Sequence, residues 1–134
     1  MAVEMKRLDH VNVRTANLIE MIDWYGRMLG MHPGPRPDFP FDGAWLYVGD
    51  DPVLHLIEVD AEPGADAGDL KLEHFALSAS GMADLLKRAE AAGARADVRR
   101  VPGFPIVQVN MWDPDGNHIH IDFDLADAEA AGVA

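Results

Sequence analysis

Six histidines stand in a chain without cysteine, and four of them occupy repeated settings. Leu8-Asp9-His10-Val11-Asn12-Val13 reads like Leu72-Glu73-His74-Phe75-Ala76-Leu77, each a short alternating run headed by leucine, acid and histidine. Val53-Leu54-His55-Leu56-Ile57 is matched in the same way by His118-Ile119-His120-Ile121-Asp122. An offset of 64 residues separates His10 from His74, and 65 separates His55 from His120. Two independent pairs at nearly one offset mark an internal duplication. Neutral imidazole nitrogen binds zinc, nickel, iron or copper, at about 2.0–2.1 Å for zinc. A lone histidine on an apolar strand is ordinarily a hydrogen-bonded core residue. Four at duplicated positions are expected to share one divalent ion, with zinc, nickel, iron and manganese as the candidates.

Side chains at i and i+2 of a strand share a face. His10 therefore goes with Asn12 and Arg14, His55 with Val53 and Ile57, His74 with Ala76, and His120 with His118 and Asp122. Two modules packed about a pseudo-twofold axis would set His10 toward His74 and His55 toward His120. His32, beside Pro33, and His118, beside a turn, are expected to face solvent or to support the ligands. Trp45 and Tyr47 share a strand face. With Phe39, Phe41 and Met111 they are candidates to line an apolar cleft beside the ion, although Trp45 and Tyr47 also suit a core or dimer interface.

The elements that must position these residues follow the same duplication. A first strand spans about 5–13, and Thr15-Ala16-Asn17 offers a helix cap. Leu18, Ile19, Ile22, Tyr25, Met28 and Leu29 recur at helical spacing up to Gly30. Pro33, Pro35, Pro37 and Pro40 predict an irregular loop or broken edge strand. Strands follow at about 44–49 and 53–60. In the second copy a strand at about 72–78 precedes a helix at 81–92 that stops at Gly93. Strands near 95–101, 105–112 and 117–124 complete it, the last two joined by the turn Asp113-Pro114-Asp115-Gly116-Asn117. The pattern predicts an α+β domain of two tandem βαβββ modules, each a cupped mixed sheet with a helix. Module 1 covers about 5–60, a linker about 61–71, module 2 about 72–124 and a tail 125–134.

Each half alone would be marginal, so the two are expected to share one core. With 23 Asp/Glu against 11 Lys/Arg, the formal charge of −12 disfavours nucleic acid and anionic membranes, and no basic cluster offsets it. No apolar run approaches the roughly 18 residues of a membrane span. The basic start lacks an apolar h-region, so a cytoplasmic setting is expected.

At Leu8-Asp9-His10-Val11, Trp24-Tyr25-Gly26-Arg27-Met28-Leu29-Gly30-Met31, Leu72-Glu73-His74-Phe75-Ala76 and Asp113-Pro114-Asp115-Gly116-Asn117 the chain resembles the vicinal oxygen chelate superfamily. That superfamily includes glyoxalase I, fosfomycin-resistance proteins, methylmalonyl-CoA epimerase, extradiol dioxygenases and bleomycin-binding proteins. The resemblance implies two cupped sheets closing around a metal, with ligands from the first and last strands of each module. Carried over, these are His10, His55, His74 and His120, and Arg14 falls where glyoxalase I-like proteins often place a carboxylate-binding arginine. The last-strand ligand is usually glutamate in such enzymes. With His120 in its place the shell carries no negative charge and lacks a carboxylate base, so His120 or His55 is the candidate base.

The expected function is a metal-dependent lyase or isomerase of the glyoxalase or epimerase type, acting on a small substrate that chelates the ion through two adjacent oxygens. Arg14, Asn12, Trp45, Tyr47 and Met111 are the expected substrate contacts. A non-catalytic drug- or metabolite-binding protein is the alternative, with dioxygenase or fosfomycin-type transferase chemistry behind it. A homodimer is expected, and the cleft forms either within one chain or between two.

Overall fold

The computed structural model describes residues 2–64 and 70–133. The chain runs β1 (Val11–Thr15), α1 (Leu18–Leu29), β2 (His32–Pro33), β3 (Gly43–Val48), β4 (Asp51–Glu58), β5 (His74–Ser78), α2 (Met82–Ala92), β6 (Ala96–Arg100), β7 (Ile106–Trp112), β8 (His118–Asp124) and α3 (Leu125–Ala130). The duplication seen in the histidines is therefore a duplication of structure. One sheet has the order β1-β4-β3-β2 and the other β5-β8-β7-β6. The first strand of each module pairs parallel to its last, Val11 opposite Leu54 and His74 opposite His118, and the remaining pairs are antiparallel. Part of the expected linker, 65–69, lies outside the described residues.

Burial alternates along β1, β3 and β7 as the pleat requires, while His55 and His120 are enclosed on the other face of β4 and β8. Leu54 and Leu56 of β4, Val107, Val109 and Met111 of β7, and Ile119, Ile121 and Phe123 of β8 point inward. Against them pack Met21, Trp24, Tyr25 and Met28 from α1 and Met82, Leu85 and Ala89 from α2. All belong to one core, so the two modules share an interior that neither half could fill alone. Both helices stop at a glycine in the left-handed region, Gly30 at φ 68° and Gly93 at φ 64°. A side chain there would meet the steric cost that glycine avoids.

The first strand is shorter than its apolar pattern suggests, because residues before Val11 find no ladder. Val11 already pairs with Leu54, so only Asp51, Pro52 and Val53 remain upstream on β4, and Pro52 has no N–H to give. Asn17 occupies the N-cap of α1 without capping it. Its Nδ2 donates instead to Asp115 Oδ1 (2.7 Å), and Thr15 Oγ1 donates to Asp115 Oδ2 (2.5 Å). The Asp113–Asn117 turn thus does more than reverse the chain. Asp113 Oδ1 accepts from the amides of Asp115 and Asn117, while Oδ2 accepts from Asn117 Nδ2 and from Tyr25 Oη (2.8 Å). Two aspartates of module 2 are in this way latched onto the strand and helix of module 1. Burial raises the Tyr25 phenol well above its ordinary range, and the Asp113 charge adds to the effect. Burial also raises Asp113, against the donors that stabilise its ionised form.

Candidate metal and substrate faces

Each sheet turns one face to the shared core and leaves the other open, and strand parity puts the histidines on the open faces. On module 1 these residues are His10, just ahead of β1, with Asn12 and Arg14, then His55 of β4 and Trp45 of β3. On module 2 they are His74 of β5, His118, His120 and Asp122 of β8, and Asn110 and Trp112 of β7. His55 and His120 are the most enclosed of the expected ligands, at 9% and 8% exposure. Trp45, Tyr47, Asn12 and Arg14 lie on the open side of their strands as expected. Met111, expected beside the cleft, is instead 0% exposed in the core. One residue of phase separates it from Asn110 and Trp112, which hold the open positions on β7. His118 is partly exposed, with its ring nitrogens bonded to Glu73 and Asn110, and His32 is exposed with its ring 6.0 Å from that of Tyr47.

The rings gather within modules. His10 stacks on His55 at 3.8 Å and 10°, His55 stacks on Trp45 at 4.0 Å and 11°, and Phe39 and Phe41 extend the series, with the Arg36 guanidinium over both. A cavity of about 100 Å³ lies among Asn12, Arg36, Phe39, Phe41, Trp45 and His55. In module 2, His74 lies 4.6 Å from His120 and 5.0 Å from His118, centroid to centroid. Among the described residues of one chain, no group unites donors of His10, His55, His74 and His120 within 4.8 Å. His10 lines a cavity of about 230 Å³ together with Val53 and with Phe75 and Ala76 of module 2.

Hydrogen bonds decide which ring nitrogens are free. A carboxylate only accepts, so a ring nitrogen facing it must carry the hydrogen. His10 Nδ1 donates to Asp9 Oδ2 (2.7 Å), His74 Nδ1 to Glu73 Oε2, and His120 Nδ1 to Asp122 Oδ1 (2.5 Å). His55 Nε2 donates to the Pro52 carbonyl (3.0 Å). The bare lone pairs are therefore Nε2 of His10, His74 and His120 and Nδ1 of His55. Carboxylate on one nitrogen and metal on the other is the usual setting of an imidazole ligand. The donor set fits a divalent ion of the zinc type in chemistry, with two donors on each module. The hydrogen bond from His10 holds Asp9 below the ordinary carboxylate range, and those from His74 and His118 do the same to Glu73. Burial and the nearby His10 push His55 down, which favours its neutral form.

Paired βαβββ modules, each with a helix on one face of its sheet and histidines on the other, define a two-module fold class. Residues 7–121 match the Glyoxalase/Bleomycin resistance protein/Dioxygenase superfamily, and the chain belongs to it. "Glyoxylase I 4" of Arabidopsis thaliana is 31% identical over 126 residues, covering 89% of this chain and 71% of that protein. A glyoxylase/bleomycin resistance protein/dioxygenase domain from Frankia sp. EAN1pec has the same fold, with a TM-score of 0.74 at 20% identity over 90% of this chain and 99% of its own. So do a fosfomycin resistance protein from Listeria monocytogenes (0.68, 10% identity, 90% and 94% covered) and the trypanothione-dependent glyoxalase I of Leishmania major (0.64, 21%, 97% and 100%). Among the described residues no helix is long and apolar enough to cross a membrane.

Proposed function

We propose that the chain is a metal-dependent lyase or isomerase of the glyoxalase or epimerase type, acting on a small substrate with two adjacent oxygens. The observation that carries this reading is the carboxylate on Nδ1 of three histidines, which leaves their Nε2 atoms bare. His10, His55, His74 and His120 would hold the ion, which when bound supplies Lewis acidity toward charge developing on a substrate oxygen. His55 or His120 would leave the ion and, with the lone pair so freed, take the proton from the substrate, while Asp122 keeps Nδ1 of His120 engaged. Asn12 and Arg14, in phase with His10, bind the polar or anionic end. Trp45 and Tyr47 contact the apolar remainder.

The two histidine pairs stand on separate sheets, so the four-ligand set is proposed to close between two copies, module 1 of one against module 2 of the other. Leu8 and Leu72 support this. They flank His10 and His74 at equivalent positions and are 78% and 66% exposed, large apolar side chains of the kind a homodimer covers.

The test loads purified protein with nickel, zinc, manganese or iron in turn and assays hemithioacetal isomerisation. Turnover that His120→Ala abolishes supports the proposal, and no turnover with any metal removes its glyoxalase version. The stacked aromatic face of module 1 also suits a protein that only sequesters an apolar ligand. Elemental analysis separates the two, since that role requires no metal to be retained or taken up.

A further inference from the structure

The geometry points to a second divalent-cation site, built from Glu73, His74 and His118 of module 2 alone. It builds on the proposed role of the module 2 face while needing nothing from module 1 or from a second copy. One donor atom from each of these residues lies within 4.8 Å of the others. They come together because His74 and His118 are register partners across the parallel pair β5–β8, and Glu73 immediately precedes His74. Two imidazoles and a carboxylate are a common donor set of zinc and ferrous centres.

Hydrogen bonds hold the His118 ring in place on both sides. Asn110 Nδ2 donates to the Asp97 carbonyl (3.4 Å), which turns its Oδ1 toward His118 Nε2 at 2.8 Å. An amide oxygen and a carboxylate both accept, so each ring nitrogen of His118 faces an acceptor, Nε2 the Asn110 Oδ1 and Nδ1 the Glu73 carboxylate. Nδ1 donates to Glu73 Oε1 at 3.0 Å. Without an ion that proton bridges the two atoms, and a bound cation would take its place between them. A separation of 3.0 Å is what two ligands subtend at roughly 90° around an ion with bonds of about 2.0–2.2 Å. The support expected of a ligand is already present. Asn110 holds the second nitrogen, Trp112 stacks on the ring at 5.0 Å and 12°, and the Arg95 guanidinium lies 3.8 Å from the Trp112 centroid.

Module 1 lacks this arrangement. The duplication that pairs His120 with His55 puts Val53 where module 2 has His118. Trp45, opposite His55, takes the place of Asn110, opposite His120. His118 and Asn110 are therefore not carried along by the repeat, and their joint presence beside Glu73 needs its own reason.

Titrating cobalt(II) into apo protein, read by visible d–d absorption and by calorimetry, tests the site. Wild type, His118→Asn, Asn110→Ala and His55→Asn are compared, with folding checked by circular dichroism. His118→Asn is expected to weaken binding at this site by about a hundredfold or more, and Asn110→Ala by about tenfold, as for an outer partner. His55→Asn is expected to leave it unchanged. Cobalt binding by His118→Asn with the stoichiometry and affinity of wild type overturns the second site. If His55→Asn then loses the ion, the four-histidine reading survives by itself. Loss in His118→Asn with none in His55→Asn leaves the second site standing and removes the four-histidine reading, and no cobalt uptake by wild type removes both.

Discussion

The open faces of the two sheets descend from one pattern and have become different surfaces. Module 1 stacks His10, His55 and Trp45 into a nearly parallel column, with the Phe39–Phe41 pair tilted 52° from Trp45 and the Arg36 guanidinium over both phenyl rings. Module 2 presents three histidines bound to Glu73, Asn110 and Asp122, with Arg95 and Asp97 at the side. One face offers aromatic area and the other offers charge and ligating nitrogen. The duplication kept the first and last histidine of each sheet and released the positions between them. On the proposed function, what is common to both faces would hold the ion and what differs would meet the two ends of the substrate.

The comparison breaks most visibly at the histidines. Replacing both His74 and His120 by alanine is expected to cost more than about a hundredfold in zinc affinity, beyond the loss of an outer-shell partner. Replacing His10 and His55 is expected to spare whatever module 2 holds by itself. Competition with a chelating zinc indicator measures both. The next effect in size comes from the carboxylates. Asp9→Asn and Asp122→Asn are expected to lower zinc affinity about 10–100-fold each with stoichiometry kept, because the amide no longer enforces the Nδ1–H tautomer. Imidazole nitrogen NMR of the apo protein reads the same change without metal.

The latch between modules gives a smaller, thermodynamic effect. Tyr25→Phe is expected to destabilise the fold by about 1–3 kcal/mol, since buried Asp113 loses a donor. Its sign with pH is fixed by the raised phenol. The unfolded chain loses the tyrosine proton near pH 10 while the folded chain retains it, so stability falls as pH rises above about 10. The phenylalanine variant is expected to lose that part of the slope in urea unfolding. Least affected is Phe41→Ala, half exposed at the edge of the column. Its folding free energy is expected to shift by about 1 kcal/mol or less, whereas its affinity for an apolar ligand falls measurably.

Much of the architecture was readable because it was written twice. Matching offsets for the histidines and matching glycines after each helix specified two βαβββ units, and strand parity placed His10, Asn12, Arg14, His55, Trp45 and His120 on open faces. Parity also contained the right answer for β7, where Asn110 and Trp112 alternate with the buried set. Met111 was read onto the wrong side because apolar character suits a cleft and a core equally. The roles of His118 and Asp115 were illegible for a different reason. His118 depends on a register partner 44 residues earlier in the chain, and Asp115 on a strand about a hundred residues away, contacts that no local pattern encodes. The stacking of His10 on His55, rather than an approach of His10 to His74, is likewise set by β1–β4 pairing.

Anomalous diffraction from crystals grown with cobalt measures the central assignment most directly. The expected result is a peak within about 2.0–2.2 Å of nitrogens from both histidine pairs, His10 and His55 on one side and His74 and His120 on the other. Cobalt-replete crystals with no peak in reach of any of these four imidazoles would contradict it.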